Sequence, residues 1–86
     1  MALTLEVVSA RGIVAHEEGL DRVVLRRREA AHEPGSEIAI LPRHGPLLMQ
    51  TQPCEMRWSR AGVTSELQVG AGVVEVLGDL VTLVLT

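Results

Sequence analysis

The residues best placed to do chemistry in this 86-residue sequence are Arg43 and His44, held in the run Leu41-Pro42-Arg43-His44-Gly45-Pro46. Proline on both sides fixes two backbone angles and stiffens the loop, so a guanidinium and an imidazole project in a set pose. Such a pair suits contact with another surface, whereas catalysis needs several converging groups. A solvated turn, with the histidine hydrogen-bonded to a local carbonyl, is the plainer reading of the same residues. Other reactive side chains converge less. His16, His32 and His44 are spread through different loops without metal-ligand spacing, and Cys54 is the single cysteine, so no metal site is expected. Cys54 follows Pro53 with no helix N-terminus to lower its pKa, and it reads as a partly buried small residue. Gly70-Ala71-Gly72 has the spacing of the start of a dinucleotide fingerprint, but the sixth position is Glu75 and no helix pattern follows.

Composition removes further classes. A net charge of −3 argues against nucleic acid, because neutralising phosphates takes a surplus of cations, and Trp58 is the one aromatic available for base stacking. Every cation is arginine, so a Schiff base, a phosphate-binding P-loop lysine and a lysine carrying biotin or lipoate are all excluded. One cysteine cannot form an internal disulfide, which fits a reducing compartment. The opening Met-Ala-Leu-Thr-Leu-Glu has neither the basic start nor the apolar run of a signal peptide, and no apolar run reaches the ~18 residues of a membrane span. A chain of this length cannot divide its apolar residues between two cores, so residues 1–86 are expected to form a single domain. Such a domain buries only about 60% of its unfolded surface, and a permanent partner would help its stability.

The elements that must position the loop are strands. Leu3, Leu5 and Val7 alternate with Thr4 and Glu6, as do Met56 and Trp58 with Arg57 and Ser59, and Val63, Ser65, Leu67 and Val69 with Thr64, Glu66 and Gln68. Turns are expected at Ser9 to Gly12, at Glu17-Glu18-Gly19, at Arg60-Ala61-Gly62 and at Gly78-Asp79. Val23-Val24-Leu25 centres one strand, Ile38, Ile40 and Leu41 lead into the loop, and Leu47-Leu48 lead out of it. Arg26-Arg27-Arg28 and the polar stretch through Pro34-Gly35-Ser36 read as a long hairpin loop, its arginines solvated and balanced by Glu29 and Glu33 rather than reserved for anionic lipid. Gly70 and Gly72 lie inside strand-like sequence and signal a bulge or a close backbone approach. With no sustained 3.6 period, the expectation is an all-β fold: a small antiparallel β-sandwich or flattened barrel of about eight to ten short strands.

The stretch from Glu37 to Leu48 resembles a signature of the epsilon subunit of F-type ATP synthases, Gly-Glu-hydrophobic-Gly-hydrophobic-hydrophobic-Pro-Gly-His-Ala-Pro-Leu-Leu. Glu37, Ile38, Ile40, Leu41, Pro42, His44, Pro46, Leu47 and Leu48 match it; Ser36, Ala39, Arg43 and Gly45 depart from it. Three further pieces agree in order: Leu5-Glu6-Val7-Val8-Ser9 with the opening family strand, Gly19-Leu20-Asp21-Arg22-Val23 with a second patch, and Val69 to Val76 with a Gly-Gly-hydrophobic-hydrophobic-Glu-Val segment. The resemblance runs from Leu3 to Val84 and implies the N-terminal β-sandwich of that subunit. It further implies a non-catalytic central-stalk subunit of a proton- or sodium-translocating synthase, peripheral at the cytoplasmic face of the membrane. Its partners would be the gamma subunit and the c-ring, with Glu37, Pro42, Arg43, His44, Gly45 and Pro46 meeting the ring, and no cofactor. Family members continue into a helical hairpin that inhibits hydrolysis and in some cases binds ATP; the sequence stops at Thr86, so neither property is expected of it. The alternative is a stand-alone β-sandwich serving as an interaction or carbohydrate-binding accessory module, which would need aromatic platforms. An enzyme would need titratable groups brought together from scattered strands and loops.

Overall fold

The computed structural model describes residues 2–27 and 37–86, and among these there is no helix. They form β1 (Leu3–Ser9), β2 (Gly12–Leu20), β3 (Arg22–Arg27), β4 (Glu37–Ile40), β5 (Leu47–Thr51), β6 (Cys54–Arg60), β7 (Val63–Val69), β8 (Gly72–Leu77) and β9 (Leu80–Leu85). One sheet has the order β2-β1-β9-β8-β5 and the other β4-β3-β6-β7. The all-β sandwich expected from the alternation is therefore the fold.

The alternating positions supply the filling between the sheets. Leu3, Leu5 and Val7 of β1, Val74 and Val76 of β8, and Val81 and Leu83 of β9 meet Val23 and Leu25 of β3, Ile40 of β4, and Met56 and Trp58 of β6. Each fully buried aliphatic side chain contributes about 1.5–3 kcal/mol, so a core almost without aromatics is assembled from many moderate terms. Cys54 belongs to this core, and burial pushes its thiol pKa up, as suits a small hydrophobe rather than a nucleophile.

Three features differ from the sequence expectation. β1 pairs with β9 in parallel, Thr4 opposite Leu80 through Val8 opposite Val84, while the other strand pairs are antiparallel. Side-chain period reports which residues share a face and not the direction of the neighbouring strand. Second, Glu17-Glu18-Gly19 is not a turn. β2 runs through it, and the register slips between Leu3 opposite Leu20 and Leu5 opposite Glu17, with Gly19 at φ 70° absorbing the extra residue as a bulge. Third, Arg26 and Arg27 are strand rather than loop, drawn into β3 by pairing with Glu55 and Cys54 of β6 and, for Arg26, with Glu37 of β4. The expected loop from Arg28 to Ser36 lies outside the described residues.

Glycine 72 shows the close approach its position signalled. A Cβ built there would stand 2.3 Å from the Val84 carbonyl oxygen of β9, whereas at Gly70 it would meet nothing within 4 Å. Gly72→Ala must push β8 from β9 at the end of their ladder, where Gly72 lies opposite Leu85. Chemical denaturation is expected to show a loss on the order of 2 kcal/mol, against little change for Gly70→Ala.

Candidate functional site

The corner between β4 and β5 carries the chain from one sheet to the other, and its conformation follows from two residues. Pro42 occupies the second position of a four-residue turn, closed by the His44 N–H donating to the Leu41 carbonyl at 3.0 Å. Arg43 follows at φ 67°, so the turn is of type II, a geometry that favours glycine at that position. The family pattern has glycine there. An L side chain held in the left-handed region costs roughly 1–2 kcal/mol, and the surroundings must impose it.

Asp79 helps to impose it. In the two-residue turn between β8 and β9, its Oδ1 accepts the Arg43 N–H at 3.0 Å, while its carbonyl accepts the Thr4 N–H at 2.8 Å. One residue thus ties the corner to the entry of β1 and to the β8–β9 turn. The sequence marked Gly78-Asp79 as a turn but not as an anchor. The signal was the residue type: the chain has only two aspartates, and the other, Asp21, accepts the Ala61 N–H of the β6–β7 turn at 3.0 Å. A carboxylate on a short stem reaches turn amides that glutamate would overshoot.

Pro42, Arg43, His44, Gly45 and Pro46 therefore share one rigid corner, with Arg43, Gly45 and Pro46 exposed and Pro42 and His44 half-buried. The His44 Nδ1 lies 2.6 Å from the Gly45 carbonyl oxygen, which fixes Nδ1 as the donor and leaves Nε2 as the acceptor of the neutral ring. This is the local carbonyl contact of the plainer reading; it also locks the ring in one orientation. A Cβ at Gly45 would meet nothing within 4 Å, so the alanine of the family pattern would fit. Glu37 stands apart: it begins β4, opposite Arg26 and about 10 Å from the corner end of the strand. Leu77 and Leu80 flank the Asp79 turn and are exposed, as is Leu41, giving the corner an apolar border.

In sequence the chain is 36% identical over 83 residues to the ATP synthase epsilon chain of Herpetosiphon aurantiacus, a match covering 96% of this chain and 56% of that one. It is 40% identical over 84 residues to the ATP synthase epsilon chain of Acidithiobacillus ferridurans, covering 95% and 55%. The chain resembles the ATP synthase epsilon chain. It spans about half the length of these epsilon-chain relatives. No protein-family model matches it. In fold it is similar to a chain of the Tetrahymena thermophila mitochondrial ATP synthase central stalk and c-ring, with a TM-score of 0.67 over 98% of this chain and 63% of that one; at 13% identity this likeness is one of fold alone.

The other titratable cluster lies on the outer face of the larger sheet. His16 of β2 has Nδ1 3.1 Å from Glu6 Oε2 and Nε2 3.4 Å from Glu18 Oε2. Hydrogen bonds that its ring donates to Glu6 first and Glu18 second raise its pKa above the ordinary 6.5. Among the described residues, no group of three histidine, cysteine or acidic side chains could hold a metal ion.

Two measurements test these assignments. Arg43→Gly is expected to be more stable than Arg43→Ala by about 1 kcal/mol in denaturant titration, because only glycine takes φ 67° without strain. For His16, a folded pKa above the unfolded value means that its contribution is complete below about pH 6.5 and fades as pH rises through the raised folded value. His16→Gln should flatten the stability-versus-pH curve in that window and leave it unchanged at more alkaline pH.

Proposed function

We propose that this chain is a non-catalytic central-stalk subunit of a rotary F-type ATP synthase, linking the gamma subunit to the c-ring and coupling rotation to ATP synthesis. The observation that carries this reading is the sequence identity to two epsilon chains over about 95% of the chain. The rigid Pro42–Pro46 corner supports it, because a contact point that transmits torque must not yield, and close-packed interiors with stiff connections deform little. In this reading Pro42, Arg43, His44, Gly45 and Pro46 meet polar loops of the ring, with Leu41, Leu77 and Leu80 packing around them and Glu37 adding a carboxylate from the side. The complex would place the chain at the membrane periphery, on the cytoplasmic face, with protons or sodium ions as the driving current.

Support also comes from what Trp58 does. A carbohydrate-binding accessory module presents aromatic faces to sugar rings, but Trp58 is only 9% exposed and sits in the core between the sheets.

Co-purification with the gamma subunit and c-ring of the same organism tests the proposal. The native chain should be retained with both. Arg43→Glu with His44→Ala should weaken retention on the ring about tenfold or more, leave gamma binding intact and leave the fold unchanged by circular dichroism. Retention on neither partner by a folded chain would refute the reading.

A further inference from the structure

β4 and β5 are edge strands, one in each sheet, and the corner joins them. At their other ends lies a cavity of ≈ 190 Å³ with two layers of lining. Leu25 of β3, Ile38 opposite it on β4, and Met49 of β5 form an inner, apolar layer. Two residues further along their strands, on the same faces, come Arg27 and Thr51, with Cys54 of β6 opposite Arg27. This outer layer is polar, and the exposed Gln50 and Gln52 complete it.

Thr51 is the residue that points to a ligand. Among the described residues it is the one polar side chain buried with the core, at 9% exposure, and its Oγ1 has no hydrogen-bond partner. Valine has nearly the same shape and would line the cavity without an unpaired hydroxyl. A buried hydroxyl in that state is costly, and a bound group that supplies the missing bond recovers the cost. Rotation between staggered positions about Cα–Cβ brings the hydroxyl to such a group.

The lining also selects the class of ligand. Arg27, Thr51, Gln50 and Gln52 can all donate hydrogen bonds, and among the described residues no carboxylate lines the cavity. Cys54, kept as a thiol by burial, adds a soft wall and no negative charge. A carboxylate only accepts, so it matches a donor-rich layer that contains a guanidinium. Size sets the length of the tail: an apolar cavity of roughly 150 Å³ holds benzene, so this one has room for about eight non-hydrogen atoms.

We propose that this cavity is a binding site for a short-chain aliphatic monocarboxylate of about five or six carbons. The tail packs against Leu25, Ile38 and Met49, and the carboxylate accepts hydrogen bonds from the Thr51 hydroxyl and from Arg27 at the mouth. The site lies at the ends of β4 and β5 away from the Pro42–Pro46 corner, and the inference does not depend on the assignment to a stalk.

The test titrates the isotopically labelled chain with hexanoate and follows it by nuclear magnetic resonance. Saturable shifts are expected at the Leu25, Ile38 and Met49 methyl groups and the Thr51 amide, with a dissociation constant on the order of a millimolar and no change at the corner. Acetate, which lacks the tail, and 1-hexanol, which lacks the charge, should each bind roughly tenfold more weakly. Thr51→Val should resist denaturant better than the native chain yet bind hexanoate roughly tenfold more weakly. Arg27→Gln should weaken hexanoate by a similar factor and leave 1-hexanol unchanged; Arg27 is exposed, so the variant should keep the native spectrum. No saturable shift at tens of millimolar hexanoate, shifts confined to residues away from the cavity, equal affinity for 1-hexanol, or native affinity in either variant would overturn the proposal.

Discussion

The parallel pairing of β1 with β9 is the constraint on which this structure depends. These two strands lie next to each other in the middle of the five-stranded sheet, so the first segment has no inner neighbour until the last has been placed. Leu5 and Val7 from one, Val81 and Leu83 from the other, then form the centre of the wall on which the smaller sheet packs. A contact spanning nearly the whole sequence carries a large loop-closure cost before it is rewarded, which makes for a slow and cooperative fold. The close seating of Gly72 against Val84 belongs to the same arrangement, since it sets how near β8 comes to the far side of β9.

The corner inherits its rigidity from that pairing. Arg43 is held in a left-handed conformation by a turn that proline begins and that Asp79 grips from the β8–β9 connection. Asp79 also receives the amide of Thr4 at the start of β1. An exposed corner is thus fastened to the most central strands of the molecule. Such fastening distinguishes it from an ordinary surface loop, whose conformation is set mainly by its own residues.

Much of this was legible from the residues. Alternation located β1, β6 and β7, and for β1 and β6 it named the inward side chains, because a half-buried strand imposes a period of two on its sequence. The prolines located the corner, and the match to epsilon-chain motifs anticipated both the sandwich and its relatives. What escaped depended on groups distant in sequence. Gly19 looked like a turn and proved to be a bulge because β1, seventeen residues and a hairpin away in pairing terms, holds β2 straight through it. Val63 and Ser65 had the pattern of buried residues and lie open because the larger sheet does not extend beneath them. Asp79 acts on Arg43 across the chain, and no local pattern could report that.

The direction of β9 has a practical geometric consequence. Because it runs alongside β1 rather than against it, Leu3 and Leu85 emerge at opposite poles of the sandwich, about 20 Å apart along the strands. Asp79 and the proline-bracketed corner share the pole of Leu3, while the Thr86 amide is bonded to the Ala71 carbonyl at the other. A fluorophore or affinity handle joined after Thr86 would therefore leave the corner uncovered, whereas one placed before Leu3 would crowd it.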